Sequence, residues 1–503
     1  MTTPVIIKSS PGIKRDGTEL EGQNYVDGEW VRFQRGLPRK MGGYRSLTSS
    51  VAGNARAIHV QVKNRYDYIH LGSSGLIERV LYHLEDTTAT VTDRTPVGVV
   101  DKSNNYWSFD SMYDSFNNQM LILAHLSNGC PCSTDVPGVL YSGDMYGLNA
   151  LTLVPAVTAS SGILALPPFM LAYGSDGYIQ WSEPNDPTNF TGPLSGAARV
   201  TAQKIQKGLP LRGGGGYSPA ALFWSVDSVI RGMYIGGDTQ WQWDTLSSQS
   251  SVLAPTSIVE NDGIYYWAGN DRFLMFNGVV REIPNQLNLN WFFDNVNFGT
   301  RCFAMKNPRW GEIWWCYPRG ASNECTHAVI YNYREDLWYD TVLPNGGRGA
   351  GVQNNSSPGV MMSGNVKNSL GKYNFWHHEQ GTDEIDGLNV RAIRSYFETA
   401  DMFLADTEKP SDSGLHIDFI EPDFVQSGDM TVYVKTRPNA RAPFTTKEQK
   451  TFSASAADAY AQVVPLKTTG RQMRLRFESN VTGGDYQMGQ VIGHISPSTA
   501  KVL

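Results

Sequence analysis

Short apolar segments bounded by glycine or asparagine turns recur along most of this chain, and they constrain its fold more than any other feature. The stretch at residues 267–278, WAGNDRFLMFNG, contains an aromatic residue, a Gly-Asn-Asp turn, a second apolar run and an Asn-Gly pair. Asn-Gly favours the two-residue turn of a β-hairpin, because both residues tolerate positive φ. The pattern therefore predicts antiparallel strands joined by tight turns.

Alternation of apolar and polar residues begins at residue 55, in ARAIHVQV, YDYIHLG and LIERVLYH. This alternation is typical of strands with one buried face. We predict further strands at residues 106–112, 119–125, 169–173, 178–181, 221–226, 231–235, 264–267 and 272–276. One helix is predicted after Pro284, at residues 285–296.

Four tryptophans, Trp181, Trp241, Trp267 and Trp315, each follow a glycine by four residues. Two of these phrases, DGYIQW and DGIYYW, are nearly the same turn-strand unit. Their spacing is irregular, but it falls around the roughly 40–50 residues that a four-stranded propeller blade needs. We predict an all-β chain with a β-propeller that carries irregular insertions. A sandwich or jelly roll is the alternative, since aromatic strands with glycine turns also build those folds.

The chain has 503 residues, more than the roughly 250–300 at which one hydrophobic core stops growing, so several domains are expected. We assign residues 1–50 to an extended N-terminal arm with at most one strand, and residues 51–380 to the propeller. An acidic segment near Gly381 is interpreted as a linker. Residues 385–503 are assigned to a C-terminal β-sandwich of about seven strands.

The C-terminal part contains longer alternating segments, HIDFIEPDFV, MTVYVKT and RQMRLRF. In the last of these, Met473, Leu475 and Phe477 share one strand face, while Arg474 and Arg476 point to the other. We expect a sheet with one buried face and one solvated face.

Charge and cysteine content exclude several classes of protein. A formal charge of −6 and a pI near 5.9 give no general electrostatic reason to bind nucleic acid. Five scattered cysteines do not predict a disulfide framework and suit a reducing cytoplasm. The first ten residues hold only a three-residue apolar run, and no run of about 18 apolar residues occurs, so neither a signal peptide nor a membrane span is predicted.

Two groups of residues resemble parts of metal sites. His377, His378 and Glu379 lack the two histidines four residues apart that a zinc protease helix requires, so we interpret them as an exposed strand end. Cys130 and Cys132 have no second Cys or His pair at a suitable distance. They are interpreted as free thiols in a loop.

Two further groups resemble catalytic motifs. Asp383, Glu384 and Asp386 could pair as carboxylates for glycoside hydrolysis, but their glycine-flanked setting favours solvated charge. The RGGGGY stretch at residues 212–217 lacks the Lys-Ser/Thr of a phosphate loop and is interpreted as a mobile loop. We predict no catalytic, cofactor-binding or metal-binding residue, no cofactor and no enzymatic activity.

The N-terminal segment interleaves basic and aromatic residues, a composition that can bind nucleic acid or an acidic protein surface. Docking of this arm onto a neighbouring subunit is the preferred interpretation. The residues are Arg32, Arg35, Arg39, Lys40 and Arg45, with Trp30, Phe33 and Tyr44 between them.

Three phrases resemble those of a known family. They are DGYIQWSEPNDPTNF at residues 176–190, ENDGIYYWAGNDRFLMFNG at 260–278, and EIWWCYP with HAVIYNYREDLWYD within 312–340. They resemble the tail hub or nozzle proteins of short-tailed bacteriophages (podoviruses), also called packaged-DNA stabilisation proteins. The likeness covers residues 165–345 by phrase, and the whole chain by length and by the order of propeller and sandwich.

The resemblance implies a structural virion protein, assembled in the bacterial host cytoplasm and located in the phage tail. It implies a homo-hexameric ring below the portal and adaptor that closes the DNA conduit, retains the genome, and lets duplex DNA pass on ejection. Tail fibres, spikes or a needle are the implied partners. A carbohydrate-binding or carbohydrate-active propeller is the alternative, because Trp241 and Trp243 in QWQWD could stack on sugars if exposed. A cellular propeller scaffold that binds other proteins is a third hypothesis.

Overall fold

The computed structural model describes residues 2–85, 88–128, 138–212, 218–237, 239–298, 301–353, 359–404, 414–454 and 463–498. Within these ranges the chain is almost entirely β-structure, as predicted, with one short α-helix and three single 3₁₀ turns. Seven sheets, antiparallel except for one strand pair, form the blades of a β-propeller, and two further sheets form a C-terminal β-sandwich. Cys130, Cys132 and most of the RGGGGY stretch lie outside the described residues.

The N-terminal segment carries seven short strands where at most one was predicted. These strands are two to five residues long and interrupted by glycine and proline, so they show no alternation that the sequence could reveal. They are β1 (Thr3–Ile7), β2 (Ser10–Ile13), β3 (Asn24–Tyr25), β4 (Asp27–Glu29), β5 (Val31–Gln34), β6 (Leu37–Lys40) and β7 (Tyr44–Ser46).

Six blades are four-stranded meanders that follow one another along the chain. Blades 1 and 2 contain β8 (Ala57–Lys63), β9 (Tyr66–Gly72), β10 (Ile77–His83) and β11 (Ala89–Asp93), then β12 (Asn105–Asp114), β13 (Gln119–Asn128), β14 (Val139–Asp144) and β15 (Thr152–Val154). Blades 3 and 4 contain β16 (Gly162–Leu166), β17 (Phe169–Tyr173), β18 (Tyr178–Trp181) and β19 (Gly196–Arg199), then β20 (Ile205–Pro210), β21 (Ala220–Ser225), β22 (Val229–Gly236) and β23 (Gln240–Ser247). Blades 5 and 6 contain β24 (Ile258–Asn261), β25 (Ile264–Ala268), β26 (Phe273–Phe276) and β27 (Val280–Glu282), then β28 (Phe303–Asn307), β29 (Glu312–Tyr317), β30 (His327–Asn332) and β31 (Leu337–Val342).

Blade 7 is completed by a strand from the other end of the chain. It contains β32 (Arg348–Gln353), β33 (Val360–Lys367), β34 (Tyr373–His378), β35 (Glu384–Asp386) and β36 (Asn389–Arg391). The N-terminal strand β7 lies between β34 and β35, antiparallel to the first and parallel to the second. The segment interpreted as an acidic linker is therefore part of a six-stranded blade.

Buried apolar clusters show that the seven blades close into a ring. One cluster fills each gap between consecutive blades, from blades 1 and 2 to blades 6 and 7. A further cluster joins blade 7 to blade 1, where Met361 and Phe375 pack with Ile69 and Val80. The first strand of blade 7, β32, also contacts the first strand of blade 1, β8. Among the described residues, closure packs the faces of neighbouring blades against one another all the way around the ring.

Within the described residues, the C-terminal sandwich has seven strands of its own, and about seven were expected. These are β37 (Ser395–Glu398), β38 (Gly414–Ser427), β39 (Met430–Arg437), β40 (Thr445–Phe452), β41 (Val464–Gly470), β42 (Gln472–Ser479) and β43 (Asp485–Ser498). N-terminal strands extend both of its sheets: β1 and β6 pair with β43, and β4 pairs with β37. The N-terminal arm is thus built into both the sandwich and the propeller.

The turn-strand phrases behave as the sequence predicted. In the Asp-Gly turn before Trp267, Asp262 has a φ of 51° and Gly263 a φ of 78°, as the favoured two-residue hairpin turn requires. Trp267 and Trp315 are fully buried between blades, and their indole N–H groups donate to the carbonyls of Ser251 and Ser257. The tryptophan after each such turn fills an inter-blade gap.

The predicted helix is present but shorter, as α1 (Leu289–Asn295). Its beginning is displaced because the Asn285 side chain accepts the N–H groups of Leu287 and Asn288 and forms a turn instead. The carboxylate of Asp16, from the N-terminal arm, accepts the N–H groups of Asn290 and Trp291 in the first helical turn.

We expect Trp315→Ala to destabilise the propeller strongly, by about 3–5 kcal/mol, because it empties a large buried site and leaves the Ser257 carbonyl unpaired. Urea unfolding followed by tryptophan fluorescence and by circular dichroism would measure the change. Phe116→Ala, at a side chain that is 73% exposed, is the control and should shift the midpoint little. Equal midpoints for the two variants would contradict the inter-blade packing described here.

Candidate functional site

Three parts of the chain meet around the buried guanidinium of Arg32, on strand β5 of the N-terminal arm. Arg32 Nε lies 2.8 Å from Glu312 Oε1 of blade 6, and Nη1 lies 3.0 Å from Glu379 Oε2, which directly follows β34 of blade 7. The Arg32 and Glu312 side chains are each 1% exposed, and Glu379 is 8% exposed. We name this group the Arg32 junction.

The two glutamates of the Arg32 junction accept further hydrogen bonds from blade 6. Tyr339 Oη donates to Glu312 Oε1 over 2.8 Å, and Trp314 Nε1 donates to Glu312 Oε2 over 2.9 Å. Trp310 Nε1 donates to Glu379 Oε2 over 3.0 Å. Two carboxylates facing one guanidinium leave an excess negative charge, and these neutral donors stabilise it.

Burial and charge act in opposite directions on the two glutamates. Burial raises the pKa of Glu312, although Arg32 opposes that effect. Burial also acts to raise the pKa of Glu379, but the charge and hydrogen bonds of Arg32 outweigh it, and this pKa is lowered. Glu379 is thus the carboxylate held ionised against Arg32.

Lys40 makes a second polar connection, between the arm and the sandwich. It is 2% exposed, and its Nζ donates to the carbonyl of Gly484 over 2.6 Å. Burial lowers the pKa of this ammonium to about 8, although Asp383 and Asp485 act in the opposite direction. The Lys40 amine therefore loses its proton at a lower pH than an exposed lysine does.

A charged cluster on the sandwich anchors an arm loop. Arg437 and Arg474 both contact Asp401 and Glu19, and all but Glu19 are almost completely buried. This corrects the expectation that Arg474 faces water: it is 5% exposed. The alternation in RQMRLRF is real, but the N-terminal loop covers the second face of the sheet at this point.

The interpretation of the basic arm is also corrected. Trp30, Phe33 and Tyr44 belong to one core cluster shared by blades 6 and 7, the arm and the sandwich. Together with Arg32 and Lys40, they attach the arm to its own chain rather than to a neighbouring subunit. The sequence could not show this, because the partners of Arg32 lie 280 and 347 residues away.

The histidines interpreted as an exposed strand end are buried. His378 stacks on Tyr44 and accepts a hydrogen bond from Arg348, while burial lowers the pKa of His377 to about 4. Both histidines thus act as packed aromatic groups in blade 7. Among the residues that the structure describes, no group of His, Cys, Asp and Glu could hold a metal ion.

The acidic residues after Gly381 serve the fold as well. Glu384 is 5% exposed, accepts from Tyr44 Oη, and pairs with Arg391 over 2.8 Å. Asp383 accepts the N–H of Gly483 in the sandwich over 2.7 Å. The expected solvated charge is therefore wrong for these two residues, although Asp386 is only half-buried.

The cysteines that can be placed, Cys302, Cys316 and Cys325, are buried free thiols. Burial raises the pKa of Cys302 to about 12 and those of the other two well above their usual range. A protonated, buried thiol is a poor nucleophile, so these groups are structural.

The central channel of the propeller is obstructed at one end. Tyr106, on the first strand of blade 2, donates its hydroxyl to Thr256 Oγ1 at the start of blade 5 over 2.6 Å. This contact skips blades 3 and 4 and therefore crosses the ring. Farther along lies a cavity of about 450 Å³ whose polar lining includes Asp110, Ser111 and Lys207. Because the hydrogen bond between Tyr106 and Thr256 spans the ring, the channel is not open along its whole length.

Comparison with known proteins gives no family assignment. No protein-family profile matches the chain, and no curated protein matches it significantly. Among the described residues, no helix is long and apolar enough to cross a membrane.

We expect Arg32→Met to cost about 3–5 kcal/mol of unfolding free energy, because Glu312 and Glu379 stay buried without their counter-charge. The double variant Arg32→Met/Glu379→Gln should recover part of this loss, since it removes one uncompensated carboxylate. Urea unfolding would measure both variants. Arg35→Met, at an exposed position of the same arm, is the control. Similar midpoints for Arg32→Met and Arg35→Met would contradict the role given to the Arg32 junction.

The lowered pKa of Lys40 predicts a specific pH dependence of the free energy of unfolding. Because its folded pKa lies below that of the unfolded chain, the unfolded state binds more protons between about pH 8 and pH 10.5, and stability contributed by this site rises over that range. The free energy of unfolding of the wild type, minus that of Lys40→Met, should therefore increase with pH there. Urea titrations at pH 7, 8, 9 and 10 would measure this difference. A constant difference would show that Lys40 does not titrate in this way.

Proposed function

We propose that this chain is a structural protein of a bacteriophage tail, a hub or nozzle subunit that forms a hexameric ring below the portal and adaptor. In this role it closes the DNA conduit, retains the packaged genome, and lets it pass on ejection, with fibres, spikes or a needle attached. The family resemblance supports the proposal, and its three phrases lie in blades 3, 5 and 6. The protein would be assembled in the host cytoplasm and located in the virion.

The observation that carries the proposal is the single core shared by the propeller, the arm and the sandwich. One apolar cluster runs from Trp314 and Trp376 of the blades through Trp30 of the arm to Leu475 and Phe477 of the sandwich. A body of two domains without a separate hinge transmits force without internal rearrangement. Such a subunit suits a ring that has to retain a packaged genome.

The obstructed channel supports a conduit between subunits rather than through one propeller. Tyr106 and Thr256 are bonded across the ring, so a duplex would have to pass along the symmetry axis of an assembly. This arrangement requires several copies of the chain around the DNA. It agrees with the proposed hexamer.

The proposal assigns no catalytic role to the chain. The nucleophiles and carboxylates that the sequence singled out, where the structure describes them, mostly serve packing or internal ion pairs. The carbohydrate alternative requires exposed tryptophans. Trp241 is only 2% exposed and stacks on Trp243 at 5.7 Å between ring centroids, so it does not offer a free face to a sugar. Trp243 is itself half-buried against Phe223.

We expect the purified chain to add a sixfold ring to the distal end of a portal–adaptor complex encoded by the same genome. Negative-stain electron microscopy and sedimentation velocity would show the ring and its mass. Portal without adaptor is the control and should recruit the chain poorly. Absence of co-assembly, together with binding on a glycan array, would contradict the proposal and favour the carbohydrate alternative.

A further inference from the structure

Three hairpin turns converge on one surface beside the Arg32 junction. They are the β5–β6 turn at residues 34–37, the β28–β29 turn at 308–311, and the β30–β31 turn at 333–336. The Glu335 carboxylate accepts the N–H groups of Arg35 and Gly36, over 2.7 and 3.0 Å. The Arg334 guanidinium donates to the carbonyls of Pro308 and Arg309. These bonds fix the three turns against one another.

The converging turns and the adjoining strand β6 carry four arginines in addition to Trp310, and we name this group the basic surface. Trp310 is partly exposed and is held from below by its hydrogen bond to Glu379. The guanidinium carbons of Arg39 and Arg309 lie 4.8 and 5.1 Å from its ring centroid, within cation–π range. Arg35 and Arg334 lie in the other two turns, and both are exposed.

None of the four arginines of the basic surface forms an ion pair within the described part of the chain. Arg39 donates to the neutral amide of Gln34, and Arg334 donates to backbone carbonyls. Two acids lie in the same turns, but Glu335 is engaged by backbone N–H groups and Asp336 accepts from Tyr331 Oη. Elsewhere, arginines such as Arg32, Arg437 and Arg474 are paired with carboxylates.

We propose that the basic surface binds the phosphodiester backbone of duplex DNA, an inference that rests on the proposed function for its choice of ligand. Guanidinium groups match phosphate oxygens bidentately and can stack on a tryptophan at the same time. Three of them on the turns and one on β6 exceed what a single carboxylate can engage. A duplex presents one charge per about 1.7 Å of its axis and so can contact several of these arginines together.

The surrounding charge sets the strength of this contact. The whole chain carries a formal charge of −6, so the basic surface is a local exception on an acidic protein. Four arginines against the two acids of the same turns leave an excess of only two positive charges at this surface. Binding is therefore weak, independent of base sequence and strongly salt-dependent. Such a contact restrains a duplex and still releases it.

The test is fluorescence anisotropy with a labelled 20-base-pair duplex, titrated with wild-type protein at several salt concentrations. Arg35→Gln/Arg309→Gln should weaken binding about tenfold at low salt, and should reduce the slope of log affinity against log salt by about one for each arginine. Arg65→Gln/Arg199→Gln removes the same charge from exposed positions on blades 1 and 3 and should leave affinity near that of the wild type. Thermal melts of both variants establish that they are folded.

Three outcomes would overturn the inference. In the first, the wild type does not bind the duplex at low salt. In the second, Arg35→Gln/Arg309→Gln binds the duplex with the same affinity as the wild type. In the third, the wild type binds labelled polyglutamate but not the DNA, and the substitution of Arg35 and Arg309 abolishes polyglutamate binding. That result would identify an acidic protein as the partner. Co-assembly with the portal–adaptor complex is measured separately. If the wild type forms the ring but does not bind DNA, this inference fails while the proposed function stands.

Discussion

The burial of one positive charge organises this molecule. Arg32 belongs to the arm, Glu312 to blade 6, and Glu379 to the connection after β34 of blade 7, so ionic pairing at this point fixes three segments at once. A buried ion pair contributes little net stability compared with apolar packing, but leaving either partner alone is costly. We infer that the junction specifies the position of the arm, while the surrounding aromatic core supplies most of the stability.

Local sequence patterns predicted much of the fold. The alternating runs became strands, the Asp-Gly turns adopted positive φ, and the tryptophans after those turns filled the gaps between blades. These features depend on neighbours within a few residues, so the sequence carries them directly. The ring of seven blades could not be counted from the sequence, because the turn-strand phrase is clear in only some of them.

The junctions were not predicted, and the reason is physical. Arg32, His378, Glu384 and Arg474 have polar side chains that favour exposed sites when judged by residue type alone. Each is buried because a partner distant in sequence satisfies its charge or hydrogen bonds. A basic segment near the start and acidic residues near position 380 were each visible, but nothing in the sequence indicated that they meet. The convergence of three turns around Trp310 was hidden for the same reason.

The position of β7 has a consequence for how the protein is made. Blade 7 includes β7 at residues 44–46, which pairs with β34. The strands β1 and β6 pair with β43, which begins at Asp485. At a translation rate of about 5–20 residues per second, the N-terminal strands wait about 20–90 seconds for these partners. During synthesis, these N-terminal strands thus leave the ribosome well before the strands with which they pair. The ribosome-bound chain therefore presents unpaired strand edges that chaperones or neighbouring nascent chains can bind.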